Sequence, residues 1–274
     1  MPLWSVSSGP DGVAVATYSN PGMNYFTLAA AAEFGQLIAS WEADRSVRAI
    51  VLCGDGRSTG FITHFSVETL EQVAAQPETA RDSAALSRGY HAMLDALQRL
   101  PQAVVVAMNG DTMGGGFELA LACDIRIGQS GDHRYGLPEA RLGIMPGGGG
   151  TQRLSRLVGA GRALELMLRS RVVDPEEALR LGLVHELADD AVARAAQVAG
   201  EIAALPPTSV ASIKAAVYRG LGASLAVGLD IESGYFQETM LSDAARERMR
   251  AYLDIPEADR RAWLDGGTVT DATA

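Results

Sequence analysis

The 274-residue chain has little lysine: Lys214 stands alone among 23 basic residues, so its cationic chemistry rests on arginine. Acidic residues number 33, which gives a formal net charge of −10 at pH 7. That balance repels nucleic acid and anionic lipid, so no nucleic-acid or membrane partner is expected. No apolar run reaches the roughly 18 residues needed to cross a bilayer. The opening MPLWSVSSGPDG has no basic stretch followed by an apolar one, so no secretory signal is read there. The two cysteines, Cys53 and Cys123, form no C-x-x-C and sit in apolar surroundings. Buried free thiols in a reducing, cytoplasmic setting follow. The four histidines, His64, His91, His133 and His185, show no H-E-x-x-H or similar spacing, and no metal is expected. A G-x-S-x-G elbow is missing, which argues against a serine hydrolase. Also missing are a G-K-[ST] phosphate loop and a G-x-G-x-x-G after a strand with its trailing acid, which argues against nucleotide hydrolysis and dinucleotide binding.

What is present is a chain 47% hydrophobic and 20% charged, enough for a substantial core. The first half alternates strand and helix patterns, so an α/β fold is expected. Strands are read at Gly12 to Tyr18, Arg48 to Cys53, Ala103 to Met108 and Asp124 to Ile127; helices at Thr27 to Ala43 and Ser83 to Leu100. The polar stretch Glu71 to Asp82 reads as a loop. From Arg153 onward the pattern is mostly helical. A boundary near Pro206 divides a core domain, 1–205, from a helical region, 206–274. Within that region Thr208 to Leu253 reads as a long amphipathic helical stretch, and the polar tail from Gly266 as loose. Such an appendage is either an oligomerisation element or a helix folded onto its own core.

Two glycine clusters each adjoin a glutamate in apolar company. Glu118 follows Gly114-Gly115-Gly116, and Glu139 precedes Met145-Pro146 and the run Gly147 to Gly150. The first N–H groups of a helix have no internal partner and sit at its positive end, and glycine lets a carbonyl come close to them. The triplet is therefore either an oxyanion-binding helix start or a device for tight helix–sheet packing. Glu118 has Phe117, Leu119, Ala120, Leu121 and Ala122 around it. Burial raises a carboxyl group toward neutrality and suits it to proton transfer near pH 7. The other reading pairs it with Arg126 or Arg141. Alone, Glu139 is an ordinary helix-start glutamate after Pro138; beside Glu118 it suggests a two-carboxylate site.

These residues carry a resemblance. Asn109-Gly110 through Gly114-Gly115-Gly116-Phe117-Glu118-Leu119-Ala120, Cys123-Asp124, Pro138-Glu139, Leu142-Gly143, Pro146 to Leu154 and Gly182-Leu183-Val184 resemble the crotonase superfamily, the enoyl-CoA hydratase/isomerase family. The resemblance runs from about residue 3 to 255 and is most specific between 103 and 187. It implies a spiral of ββα units with a C-terminal helical trimerisation region, a homotrimer or homohexamer, and an acyl-CoA thioester as substrate, with no cofactor besides the coenzyme A of that substrate. It also implies Glu118 and Glu139 as the acid/base pair of an enoyl-CoA hydratase, a lyase adding water across a 2-enoyl thioester. Other activities on such a fold are double-bond isomerisation, C–C bond hydrolysis, or acyl-CoA binding without catalysis.

The backbone N–H groups of Thr63 and Gly115 are the implied oxyanion hole. Members usually carry Phe-x-Ala-Gly-x-Asp-Leu where this chain reads Phe61-Ile62-Thr63-His64-Phe65-Ser66-Val67. His64 stands in a glycine's place, and two readings are open. It strains the loop if φ there is positive, or it puts a titratable ring against the substrate. The segment Asn20-Pro21-Gly22-Met23-Asn24-Tyr25 is similar to the family's coenzyme A loop, though shorter and without the lysine often seen there. Met23, Tyr25, His64 and Phe65 are the implied substrate-binding residues.

Overall fold

The computed structural model describes residues 2–57, 60–76 and 83–265. The chain forms two compact units, Met1–Pro207 and Thr208–Ala274. The first is built on a six-stranded sheet, spatial order β1-β2-β3-β4-β6-β9, in which β1 (Trp4–Ser8), β2 (Val13–Tyr18), β3 (Ala49–Gly54), β4 (Ala103–Met108), β6 (Ile125–Gln129) and β9 (Glu186–Ala188) take part. Every neighbouring pair except β1·β2 is parallel. Strands β3 and β4 are apolar throughout because both their faces are covered, as parallel sheets require. Their side chains alternate between two cores. Ile50, Leu52, Val104, Val106 and Met108 join the larger cluster with Phe34, Phe61, Leu94 and Phe117. Ala49, Val51, Cys53, Val105 and Ala107 face the other way, against Ala191, Ala195, Val198 and Ala199 of a later helix. Both cysteines are buried thiols that form no disulfide, as expected.

A second, small sheet, order β5-β7-β8, holds β5 (Thr112–Met113), β7 (Tyr135–Gly136) and β8 (Val172–Val173). It explains the spiral. From β4 the chain steps to β5 and then into α4 (Gly114–Ala122); from β6 it steps to β7 and then into a 3-10 turn, Glu139–Leu142. After β3 the step is a stretch with single bridges, Gly60 to Asp111 and Phe65 to Phe26. Each turn thus gives one strand to the large sheet and one short extended piece to the layer that carries the site.

Packing, more than capping, holds the first helix, α1 (Leu28–Ala43). Thr27 caps it by accepting from the Ala30 N–H, worth about 1 kcal/mol. Phe34, Ile38 and Trp41 are buried along one stripe, each worth roughly 1.5–3 kcal/mol. The stretch read as a loop over Glu71 to Asp82 is corrected in part. Val67–Ala75 forms α2, capped by the Ser66 hydroxyl accepting from the Thr69 N–H; positions 77–82 lie outside the described residues. Its polar content is the solvent face of an amphipathic helix, which a short window hides. Next comes α3 (Ser83–Arg99), and after the site loop α5 (Gly150–Val158), α6 (Ala160–Leu168), α7 (Pro175–Leu181) and α8 (Ala191–Ala203). Alanine-rich α8 is the helix that covers the back of the sheet.

The second unit is helical, as expected, but in pieces: α9 (Pro207–Gly220), α10 (Leu225–Met240), α11 (Asp243–Asp254) and α12 (Arg260–Leu264). Ser224 and Ser242 begin α10 and α11 as N-caps, accepting from the Val227 and Ala245 N–H groups. Those serines are the start signals that a reading of one long stretch passes over. The tail from Gly266 lies outside the described residues.

Candidate active site

Two backbone segments meet at the start of α4. The Met113 N–H donates to the Thr63 carbonyl at 2.9 Å, which lays the Thr63 segment beside the glycine triplet. The Thr63 hydroxyl donates to the Met23 carbonyl, and the buried Asn24 side chain donates to the carbonyls of Gly60 and Phe61 at 3.1 and 2.8 Å. Phe26 closes the frame, donating to the His64 carbonyl and accepting from the Ser66 N–H. With its carbonyl committed, Thr63 has an N–H with no partner among the described residues. The Gly115 N–H lies in the first turn of α4 and has no intrahelical acceptor. The three glycines of the triplet differ in their surroundings. A Cβ on Gly116 would lie 2.0 Å from the Ile62 carbonyl oxygen, so Gly116 serves packing. Gly114 and Gly115 line the cavity.

Glu118 is 3% exposed, and its partner is not an arginine. Its Oε1 accepts from the Gly148 and Gly150 N–H groups, each at 2.7 Å. Arg126 instead donates to the carbonyls of Leu183 and Cys123, and Arg141 is exposed. The run Gly147 to Gly150 is therefore a cradle for a carboxylate. A Cβ at 148 would come within 2.5 Å of Glu118 Oε2, and one at 150 within 2.9 Å of Oε1. Burial pushes the Glu118 carboxyl up, while the two amide donors and Arg153 pull against it.

Glu139 stands on the 3-10 turn and is 9% exposed. Its Oε2 is buried with no hydrogen-bond partner among the described residues. Burial first, and the nearby Glu118 second, push its carboxyl up to about 7. Two withdrawn carboxyls thus share one site in unlike surroundings, Glu118 fixed by two amides of the glycine run and Glu139 by its own backbone N–H alone.

A cavity of about 1570 Å³ opens over this site, and Glu118, Glu139, Gly114, Gly115, His64 and Phe65 all line it. His64 is not among the positive-φ residues, so the strained-loop reading is corrected: the backbone here suits any residue. Its Nδ1 lies 2.8 Å from the Phe65 carbonyl, which can only accept, so Nδ1 carries a hydrogen. The ring stacks on Tyr25 at 4.5 Å. Met23 and Tyr25 are not brought into the cavity wall. Their carbonyls anchor the Thr63 and Tyr18 hydroxyls, and Tyr25 meets the site through His64. Thr63 is 2% exposed and likewise stands behind the wall formed by its neighbours.

A model of the enoyl-CoA hydratase/isomerase family matches residues 8–260. The chain belongs to this family. It is 34% identical over 245 residues to a protein of Bacillus subtilis (strain 168) named probable enoyl-CoA hydratase, a match covering 88% of this chain and 92% of that one. It is 38% identical over 192 residues to the alpha subunit of a fatty acid oxidation complex from Shewanella amazonensis. That match takes in 69% of the chain but only 26% of the subunit, so the chain spans about a quarter of the larger protein. The structure of an enoyl-CoA hydratase from Bacillus anthracis superposes with a TM-score of 0.84 at 29% identity, covering 92% of this chain and 96% of that one.

In this member of the enoyl-CoA hydratase/isomerase family, sequence reasoning missed the residues that brace the glycine segments on either side of Glu118. Tyr90 donates to the Gly115 carbonyl at 2.7 Å and packs against Phe65. Ser87 donates to the Gly147 carbonyl at 2.6 Å. Both lie on α3, whose apolar periodicity was legible, but a serine or tyrosine on a helix carries no signal of its distant backbone partner.

Proposed function

We propose that this protein is an enoyl-CoA hydratase, adding water across the double bond of a 2-enoyl-CoA thioester. The observation that carries this is the unlike pair, Glu118 and Glu139, buried on one cavity. Hydration needs a base to take a proton from water and an acid to supply one to the α-carbon. Glu118, fed by two amide donors, is the carboxylate that deprotonates the water. Glu139, held only by its own backbone N–H and with a carboxyl near 7, carries the proton given to the α-carbon. The hydroxyl joins the β-carbon, Glu118 gains the proton that Glu139 loses, and proton exchange resets the pair. The N–H groups of Thr63 and Gly115 receive the thioester oxygen as it gains charge; one such donor is worth about 3–4 kcal/mol.

His64 and Phe65 border the thioester, and Met23 and Tyr25 act one layer behind. Coenzyme A enters only as part of the substrate. With a single lysine in the chain, its phosphates fall to arginines such as Arg141 on the cavity wall. A reducing cytoplasm suits two buried thiols that form no disulfide. The second unit serves as the trimerisation region of a homotrimer or homohexamer.

The test is hydration of crotonyl-CoA followed by loss of enoyl-thioester absorbance, with ¹⁸O taken up from water. Glu118→Gln and Glu139→Gln are each expected to lower kcat at least about a hundredfold, with little change in affinity for an unreactive acyl-CoA. Absorbance changes without ¹⁸O uptake, or full turnover by either variant, would favour a one-carboxylate isomerase. Binding without any turnover by the wild type would leave an acyl-CoA-binding protein.

A further inference from the structure

Arg153 is not part of the cavity wall, yet it reaches the peptide at the centre of the Glu118 cradle. It lies in the first turn of α5 with a side chain 14% exposed. Its NH1 donates to the Gly148 carbonyl at 3.1 Å. The rest of the guanidinium is committed to α3: NH2 to Asp95 Oδ1 at 2.7 Å, and Nε and NH2 to Gln98 Oε1 at 3.2 and 3.0 Å. Asp95 and Gln98 are three apart on one helix and so present one face.

Three successive peptides make the cradle, and each is held by a different group. The 147–148 peptide gives its N–H to Glu118 and its carbonyl to the Ser87 hydroxyl. The 149–150 peptide gives its N–H to Glu118 and its carbonyl to the Gln152 and Arg153 N–H groups at 3.0 and 2.9 Å. Between them, the 148–149 peptide meets the Arg153 guanidinium. Four successive glycines have the widest choice of backbone conformations, so two amide donors aimed at one oxygen must be fixed from outside. A planar fork bound at several points suits that task better than a lysine.

We propose that Arg153, anchored on α3 by Asp95 and Gln98, is a positioning residue that locks the Gly148–Gly149 peptide and so holds both amide donors on Glu118. This rests on Glu118 as a proton-transfer group. The charged or titratable groups facing Glu118 are Arg153, Glu139 and Tyr90. Removing Arg153 takes away a positive charge and loosens the donors, and both changes disfavour the carboxylate.

The experiment compares full-length wild type with Arg153→Met, Arg153→Lys and Gln98→Ala, by crotonyl-CoA kinetics across pH and by ¹³C NMR titration of the Glu118 carboxyl. Arg153→Met should lower kcat at least about tenfold with KM moved less than about threefold, and should move the Glu118 titration to higher pH. Arg153→Lys keeps the charge and should return the titration toward wild type while kcat stays low. Gln98→Ala, which leaves Arg153 in place with one anchor gone, should lower kcat by a smaller factor and guards against a misfolded Arg153→Met. Unchanged Glu118 titration in Arg153→Met, or wild-type kcat in both Arg153→Met and Gln98→Ala, would overturn the proposal. Because the titration needs no turnover, failure of crotonyl-CoA hydration by the wild type would count against the hydratase reading alone.

Discussion

Glu139 carries its cost in the folded state. Its carboxyl is about 7 there against 4.5 ordinarily, so the fold binds a proton that the unfolded chain has released. That contribution is complete below about pH 4.5 and is lost as pH rises through 7; the gap between the two corresponds to roughly 3 kcal/mol. Glu139→Gln removes the charge that burial disfavours. The variant should therefore melt several degrees above wild type at pH 8, and the advantage should vanish near pH 4.5. Calorimetry at both pH values checks the sign; a destabilised variant at pH 8 would show that Glu139 has a stabilising partner. His64 gives the opposite expectation. Its φ is not positive, so glycine relieves nothing, loses the Phe65 and Tyr25 contacts, and adds backbone entropy worth roughly 0.5–1 kcal/mol. His64→Gly should melt lower and turn over more slowly; a faster enzyme would reject this account. Glu118 stood out because a carboxyl amid alanine and leucine has few neutral explanations, and Glu139 only because it could be paired with it. Arg153 and the φ of His64 were not legible, since an arginine reads as a solvated charge until its distant partner is known.

The element that sequence reading undervalued is the Gly147 to Gly150 loop. Dismissing it as a phosphate site was sound in motif terms, but the backbone donors of such a loop serve any anion, including a carboxylate of the same chain. Gly148→Ala tests this directly, because the new Cβ would fall 2.4 Å from the Tyr90 ring and 2.5 Å from Glu118 Oε2. A kcat at least about tenfold lower is expected, with ligand affinity largely kept; wild-type kcat would mean that the cradle yields without disturbing Glu118. Strands β2, β3, β4 and β6 and helix α1 were legible from pattern, β3 and β4 as unbroken apolar runs, whereas the edge strands β1 and β9 were not read. The two-residue strands β5, β7 and β8 were not, because so short an element is set by its neighbours in the second layer. The same limit explains α2, whose polar face outweighed Val67, Leu70 and Val73 in a short window.

Across the whole molecule, the second unit has more apolar surface than a solitary helical group needs. Ile213, Leu221, Leu225, Phe236 and Leu253 are all more than half exposed. Large exposed apolar faces mark association surfaces. Light scattering should give a trimer or a dimer of trimers for the full chain and a smaller species for a chain ending at Pro207; a monodisperse full-length monomer would exclude the assembly. The helical character of this region was legible, but the stoichiometry was not, because association is set by how several copies fit and one sequence carries no record of the others. A different consequence follows from α8, the helix on the back of the sheet. Every residue of the site has been synthesised by Arg153, yet Val51, Val105 and Ile127 stay uncovered until Ala191 to Ala203 arrives. A growing chain therefore holds every residue proposed for the reaction on a sheet with one bare face. Slow parallel pairing makes such intermediates prone to aggregate. Truncations before residue 190 should accordingly be insoluble and inactive, and during synthesis the enzyme depends on its least chemical helix to become one.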